Sequence, residues 1–290
     1  MKRNITFLLI RLSIIAIIFI AVFLLLYPEA PVRLSAFANG RYIALPPCPA
    51  LSRIAPVTHN AGNKLPLPFT LLNWNIYKQQ KKNWRTKLQE WTENTDLITL
   101  QEAKYSVELQ SFSHKNSLFY YQNYAFKYKD RIYGVNTLSR YPAQFICGSR
   151  ATEPWIQIPK TGLASRYPLA GSAASLLLIN LHGINFTFRS ALLTRQLQPY
   201  LALIALHQGP IIFSGDFNTW SDQRQALLEE ALLKLRFNEV TFSNDLRSTI
   251  FGHKLDHIYF RGLKVITSAS MATDASDHSP QLVTFDIKRD

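Results

Sequence analysis

A chain of 290 residues with 47% hydrophobic and 18% charged side chains has the balance of a globular protein, long enough for one large domain or two small ones. Its net charge of +13 comes from 32 Lys+Arg against 19 Asp+Glu; up to residue 64 there are 7 basic residues and 1 acidic, leaving 25 against 18 downstream. That excess suits a polyanionic substrate, a membrane surface or a nucleic acid without choosing among them, and a merely soluble basic surface explains it as well.

In chain order, "ITFLLIRLSIIAIIFIAVFLLLY", Ile5 to Tyr27, is nearly all apolar, with Arg11 its one charge. It matches the roughly 20 residues of a bilayer-spanning helix. A cleaved signal peptide has a shorter apolar core, roughly 7–15 residues. Residues 1–27 are therefore expected to be a membrane anchor rather than a signal sequence, although "SAFA", ending at Ala38, has a cleavage-like spacing. Lys2, Arg3 and Arg11 favour a cytoplasmic N-terminus, and Arg33 and Arg41 weigh against it. Residues 28–68 hold Pro28, Pro31, Pro46, Pro47, Pro49, Pro56, Pro66 and Pro68. Proline fixes φ and removes donors, so a tether with extended pieces is expected there. Cys48 and Cys147 fall in no CxxC or Cys/His cluster, which argues against a thiolate metal site. They are buried thiols, or one disulfide if the domain lies outside the cytoplasm.

From residue 69 to 290, apolar runs alternate with helix-period segments. The strands expected are "FTLLNWNI", "DLITLQE", "RIYGVNTLS", "SLLLINLHG", "PIIFSGDF", "DHIYF" and "LVTFDI". Helices are expected over Trp84–Thr92, Ala191–His207 and Asp222–Leu235. Ser221 or Asp222 is a candidate N-cap for the last, and Pro199 should kink or split the second. This alternation, without a dinucleotide-binding glycine signature, indicates a layered α/β domain.

Polar residues cluster at the ends of these strands: Asn75, Glu102, His182, Asp216, Asn218, Asp256 and the Asp277–His278 pair. One such residue means little, since Asp and Asn commonly stabilise turns. Several together suggest a shared site. Oxygen ligands of this kind suit Mg²⁺ or Mn²⁺. A divalent ion beside histidines provides what phosphoester cleavage needs.

"LNWNIYK", "LITLQEA", "NLHGINF", "GDFNTW", "LDHIYFRG" and "SDHSP" occur in the order found in the endonuclease/exonuclease/phosphatase superfamily, the DNase I-like proteins, which the chain resembles over residues 69–288. "WNIYKQQ" and "NLHGINF" also resemble its uncharacterised YafD-like bacterial branch. The resemblance implies a four-layered α/β sandwich, two packed mixed sheets flanked by helices, here preceded by one N-terminal transmembrane helix. It implies metal ligation by Asn75, Glu102 and Asp277, with Mg²⁺ (or Mn²⁺) as cofactor. Asp216 matches the residue that prepares the attacking water, and Asn218 the carboxamide on a phosphate oxygen. His278 matches the essential histidine, Asp256 its orienting carboxylate, and His182 a second histidine facing the phosphate. Whether Asp216 or His278 takes the proton stays open.

The activity implied is hydrolysis of a phosphodiester or phosphomonoester by in-line water attack. The substrate expected is a phosphate ester, with a nucleic acid, a phospholipid headgroup and a small phosphoester left open, and no obligate protein partner is evident. With the anchor, this places the catalytic domain in the periplasm, on a single-pass protein of the bacterial inner membrane. A nuclease is the alternative favoured by the basic balance. A non-catalytic phosphate-binding module is disfavoured because Glu102 and Asp277–His278 are intact. His257 is read as flanking a strand, Tyr133 as core, Lys160 as a lesser substrate contact or a solvated lysine, and residues 78–87 as a basic cleft edge or a solvated helix entry.

Overall fold

In the computed structural model, which describes residues 11–18, 27–49, 64–185, 187 and 190–288, the apolar runs become strands of two mixed sheets. The N-terminal half contributes β1 (Ser35–Ala38), β2 (Arg41–Ala44), β3 (Phe69–Asn75), β4 (Leu97–Lys104), β5 (Phe119–Tyr128), β6 (Arg131–Ser139) and β7 (Phe145–Thr152). Next come β8 (Pro159–Pro168), β9 (Ser175–His182), β10 (Ile211–Asp216), β11 (Asn238–Glu239), β12 (Thr249–Ile250) and β13 (His253–Lys254). The last three are β14 (Asp256–Arg261), β15 (Leu263–Ser270) and β16 (Gln281–Ile287). Helix α1 covers residues 11–18. The others are α2 (Trp84–Thr92), α3 (Val107–Lys115), α4 (Ser190–Leu206) and α5 (Asp222–Leu233).

One sheet has the order β15-β16-β3-β4-β6-β5-β1-β2 and the other β11-β14-β10-β9-β8-β7, while β12 and β13 form a separate two-stranded antiparallel pair. β3–β4 and β9–β10 are parallel pairs within otherwise antiparallel sheets. The sheets face each other across a core that includes Phe69, Leu71, Val135, Leu178, Ile212 and Phe285. Leu88, Leu109 and Phe112, from α2 and α3, pack with Leu72, Trp74 and Ile98 on the outer face of the first sheet. Leu193, Leu197, Leu203 and Leu228, from α4 and α5, pack with Ile179 and Phe213 on the second. The four expected layers are therefore present.

Between the sheets, toward the strand ends that carry the site, the core turns polar. Gln101 Nε2 donates to Asn73 Oδ1 at 3.0 Å and to Asn180 Oδ1 at 2.8 Å, and Asn73 Nδ2 donates to Gln281 Oε1 at 3.1 Å. Gln281 in turn donates to the Asp256 carbonyl at 2.9 Å. Each of these buried amide hydrogen bonds fixes one strand against another.

Several expectations need correction. The proline-rich 28–68 stretch is not a tether throughout: β1 pairs with β5, and bridges join Pro47 to Gly148 and Leu65 to Leu169. Prolines flank these short strands without interrupting their ladders, which is where proline is tolerated. Cys48 and Cys147 form a disulfide across the same junction. Pro199 does not split α4, which runs as one helix from Ser190 to Leu206. Burial of Leu193, Leu197, Tyr200 and Leu203 on its inner face outweighs the roughly 3 kcal/mol that an interior proline costs. Of the expected transmembrane span, residues 11–18 and Tyr27 are described, the former as a helix; residues 5–10 and 19–26 lie outside the described residues. Among the described residues no helix is long and apolar enough to cross a membrane.

Candidate active site

Register brings the site together. In the second sheet Asp216, the last residue of β10, pairs with His182 on parallel β9 and with Asp256 on antiparallel β14. In the first sheet Asn75, the last residue of β3, pairs with Gln101, next to Glu102. Gly215 lies inside β10 at φ +148. A Cβ there would sit 1.9 Å from the Leu181 carbonyl oxygen, so glycine is required by the approach of β9. Glu102 has φ +54 where the β4–β6 register shifts between Leu100 and Ala103. That bulge aims its side chain out of the ladder and into a cleft of about 260 Å³ shared with Lys78, Lys160 and His182.

Asp216 is 2% exposed. Its Oδ2 accepts from Asn75 Nδ2 at 2.9 Å, and its Oδ1 accepts from the Asn218 backbone N–H at 3.0 Å. Two imidazoles face the same Oδ2, His182 Nε2 at 3.6 Å and His278 Nε2 at 3.8 Å, both beyond hydrogen-bond reach. Burial, with Asp256 nearby, raises the Asp216 carboxyl to about 6 against the pull of His278 and Lys160. His278 Nδ1 donates to Asp256 Oδ2 at 2.7 Å. Burial opposes charge on that ring, but Asp256 and Asp216 overcome it and raise His278 to about 10.

Glu102 receives Lys78 Nζ on Oε2, and Lys160 Nζ lies 3.8 Å from Oε1. Burial pushes this carboxyl up, but Lys160 and Lys78 hold it below its ordinary range. Lys160 Nζ also donates to His182 Nε2 at 2.7 Å. Burial and then Lys160 lower His182 well below the usual imidazole value, so it stays neutral. Asn218 turns at φ +52 and donates one amide hydrogen to the Gly183 carbonyl at 2.9 Å.

The structure thus gathers Asn75, Glu102, His182, Asp216, Asn218, Asp256 and His278. It does not gather Asp277, which is exposed and accepts from the Ser276 hydroxyl at 3.3 Å. Asp277 and His278 lie in the bend before β16, where His278 turns inward to Asp256 while Asp277 stays exposed. Lys78 and Lys160 enter the site with more weight than their sequence setting indicates. His257 is buried beneath it, between Glu239 Oε1 and the Thr219 hydroxyl, both at 2.7 Å. Tyr133 is buried and stacks on Phe126 at 5.3 Å.

The profile described as Endonuclease/Exonuclease/phosphatase family matches residues 72–278, a span that begins just before Asn75 and ends on His278. The chain belongs to that family. Within it, the UPF0294 protein of Photorhabdus laumondii subsp. laumondii is 38% identical over 255 residues, covering 84% of this chain and 96% of the relative. A UPF0294 protein of Vibrio vulnificus is 40% identical over 221 residues, covering 76% and 78% respectively. Among solved structures, the human Nocturnin catalytic domain with bound sulfate anion aligns with a TM-score of 0.62 at 16% identity, over 78% of this chain and 96% of that one. ANGEL2, a 2′,3′-cyclic phosphatase, in complex with adenosine-2′,3′-vanadate, aligns at 0.58 with 14% identity, over 76% and 96%. At these identities the structural likeness establishes the fold.

For a member of the endonuclease/exonuclease/phosphatase family, the fit of a divalent cation can be tested on the donor set. Asp216, Asp256 and His278 offer ligand atoms all within 4.8 Å of one another. Within this trio His278 Nδ1 is already hydrogen-bonded to Asp256 at 2.7 Å, and its Nε2 faces Asp216 at 3.8 Å. Glu102 and Asn75 offer oxygen donors, and two ammonium groups already converge on Glu102. Those ammonium groups now neutralise Glu102, so a hard divalent ion that takes its carboxylate oxygen would have to displace Lys78 from it.

Proposed function

We propose that this chain is a membrane-anchored, divalent-metal-dependent phosphoesterase that hydrolyses a phosphodiester or phosphomonoester by in-line attack of water. The observation that carries the reading is the line Asp256–His278–Asp216, with His278 Nδ1 at 2.7 Å from Asp256 and Nε2 turned to Asp216. At pH 7–8 Asp216, near 6, is largely ionised while His278, near 10, keeps its proton. This division favours Asp216 as the group that takes the water proton and His278 as the cation on the phosphate. Asp256 holds the ring orientation, and Asn75 and the Asn218 N–H hold the Asp216 carboxylate in place. Lys78, Lys160 and neutral His182 line the anion's approach, and Asn218 keeps one amide hydrogen for a phosphate oxygen. Mg²⁺ or Mn²⁺ held by Glu102 and Asn75 would neutralise phosphate charge and stabilise the leaving oxygen. Asp277 contributes its charge at the rim rather than as a ligand.

The apolar run Ile5–Tyr27 supports the anchor, and the Cys48–Cys147 disulfide supports a periplasmic domain, since disulfides persist in oxidising compartments. A nuclease is the second reading, favoured by the basic balance and by the likeness in fold to D. rerio TDP2 complexed with single strand DNA product, at a TM-score of 0.55. The test is a panel of DNA, RNA, sphingomyelin and phosphoinositides incubated with wild type, Asp216→Asn and His278→Ala. The reading expects Mg²⁺-dependent product from at least one substrate, lost in both variants. Equal behaviour of the three proteins on every substrate would falsify it.

A further inference from the structure

The last residue of the apolar N-terminal run touches the mouth of the cleft. The Tyr27 hydroxyl donates to the Ile156 carbonyl at 3.1 Å, and Ile156 lines the cleft with Glu102 and His182. The chain beyond Tyr27 is tied to the same rim. Glu29 and Lys127 exchange backbone hydrogen bonds at 2.7 and 2.6 Å, and the Pro31 carbonyl accepts from the Arg150 guanidinium. With the apolar run in a bilayer, Tyr27 lies at its surface and the cleft mouth lies there with it.

That rim has the composition of a membrane-facing surface. Trp155, beside Ile156, is 68% exposed, and Val32 is 97% exposed. Trp and Tyr favour the headgroup level, where an apolar body and a polar tip are both accommodated. The nearby β5–β6 turn exposes Lys129 and Arg131, and such cations attract anionic lipid. Inside the cleft, the wall opposite the ammonium groups is apolar, formed by Phe126, Ile156, Ile158 and Pro159. Phe126 and Tyr133 both line the cleft and stack on each other at 5.3 Å, which leaves little of the Tyr133 ring open to a nucleobase. Stacking platforms are what single-stranded nucleic acid requires. An aliphatic wall beside a phosphate site suits glycerol and the start of an acyl chain.

We propose that the substrate is the phosphoester of a membrane lipid headgroup, taken at the surface of the bilayer that holds the N-terminal run, with Trp155 and Ile156 seated in that surface. The proposal rests on the phosphoesterase reading of the same site. Water adds its oxygen to phosphorus, one P–O ester bond breaks, and the released oxygen leaves as an alcohol after gaining a proton, so lipid and water give a phosphate product and an alcohol.

The test uses the full chain reconstituted with Mg²⁺ into vesicles of phosphatidylethanolamine, phosphatidylglycerol and cardiolipin. Bis-(p-nitrophenyl) phosphate and a single-stranded oligonucleotide are assayed in parallel, and mass spectrometry reads lipid and aqueous products. Wild type is expected to hydrolyse vesicle lipid in an Asp216-dependent manner. Trp155→Ala should lower the ratio of vesicle rate to soluble-ester rate roughly tenfold or more, and Trp155→Phe should restore it. Asp216-dependent cleavage of the soluble ester or the oligonucleotide without cleavage of lipid would overturn the lipid assignment while leaving the phosphoesterase reading intact. So would a rate ratio unchanged in Trp155→Ala. Loss of Asp216-dependent hydrolysis in all three arms would overturn both.

Discussion

At Asp216 two demands conflict, since the site needs a carboxylate and the core around it resists the charge. Its raised value means that the folded chain binds this proton more tightly than the unfolded chain. The resulting stabilisation is full below 3.8 and lost as pH rises through about 6. Asp216→Asn should therefore melt at a higher temperature than wild type at pH 8 in EDTA, by about 1–3 kcal/mol in stability, with the gap closing toward pH 4. A lower melting point for the variant at pH 8 would show that the charge is favourably held. His278 runs in the same sense, its contribution complete below 6.5 and lost as pH rises through about 10. The kcat/KM profile should rise near pH 6 and fall near pH 10, and Asp256→Asn, by removing the first of the anions that raise His278, should move the falling limb to lower pH. An unmoved limb would assign it elsewhere. These three residues were legible because each sits in a short motif at a strand end. Lys78 and Lys160 were not, because a lysine in a basic chain carries no positional signal until the fold brings it to a carboxylate.

At the scale of the element, the site depends on strands that approach closely or break register. Gly215→Ala would drive a methyl into the Leu181 carbonyl at a φ that L residues rarely adopt. The expected cost is roughly 2–4 kcal/mol. Urea denaturation should show the loss, and a variant within 0.5 kcal/mol of wild type would contradict this role for the glycine. Strand and helix positions followed from sequence where the periodicity was clean: β6, β9, β10 and α2 lie where expected, and Ser221 caps α5 by accepting from the Arg224 N–H at 3.4 Å. Other elements were hidden for physical reasons. β5 carries Gln122 and Asn123 facing buried partners, which breaks the apolar alternation. β8 begins and ends with proline and contains Gly162. The bulge that aims Glu102 into the cleft comes from tertiary pairing and has no local signature.

Across the whole molecule, the described parts of the segment read as a linker, residues 28–49 and 64–68, pair with the sandwich edge and carry one half of the disulfide. The Cys48–Cys147 bridge spans a sequence separation of 99, and its loss should cost about 2–5 kcal/mol. Cys48→Ser and dithiothreitol-treated wild type should both show a reduced melting temperature, and matching melts with and without reductant would contradict the bridge's contribution. The same segment brings Tyr27, the last residue of the apolar N-terminal run, to the cleft rim, where its hydroxyl donates to the Ile156 carbonyl. The central claim, that this cleft is a metal-dependent hydrolytic site, is tested most directly by the rate of bis-(p-nitrophenyl) phosphate hydrolysis by the full chain with Mg²⁺ and with EDTA, for wild type and Asp216→Asn. The account predicts turnover for wild type with Mg²⁺ and a loss of about 10²-fold or more on chelation or substitution; turnover that survives both would contradict it.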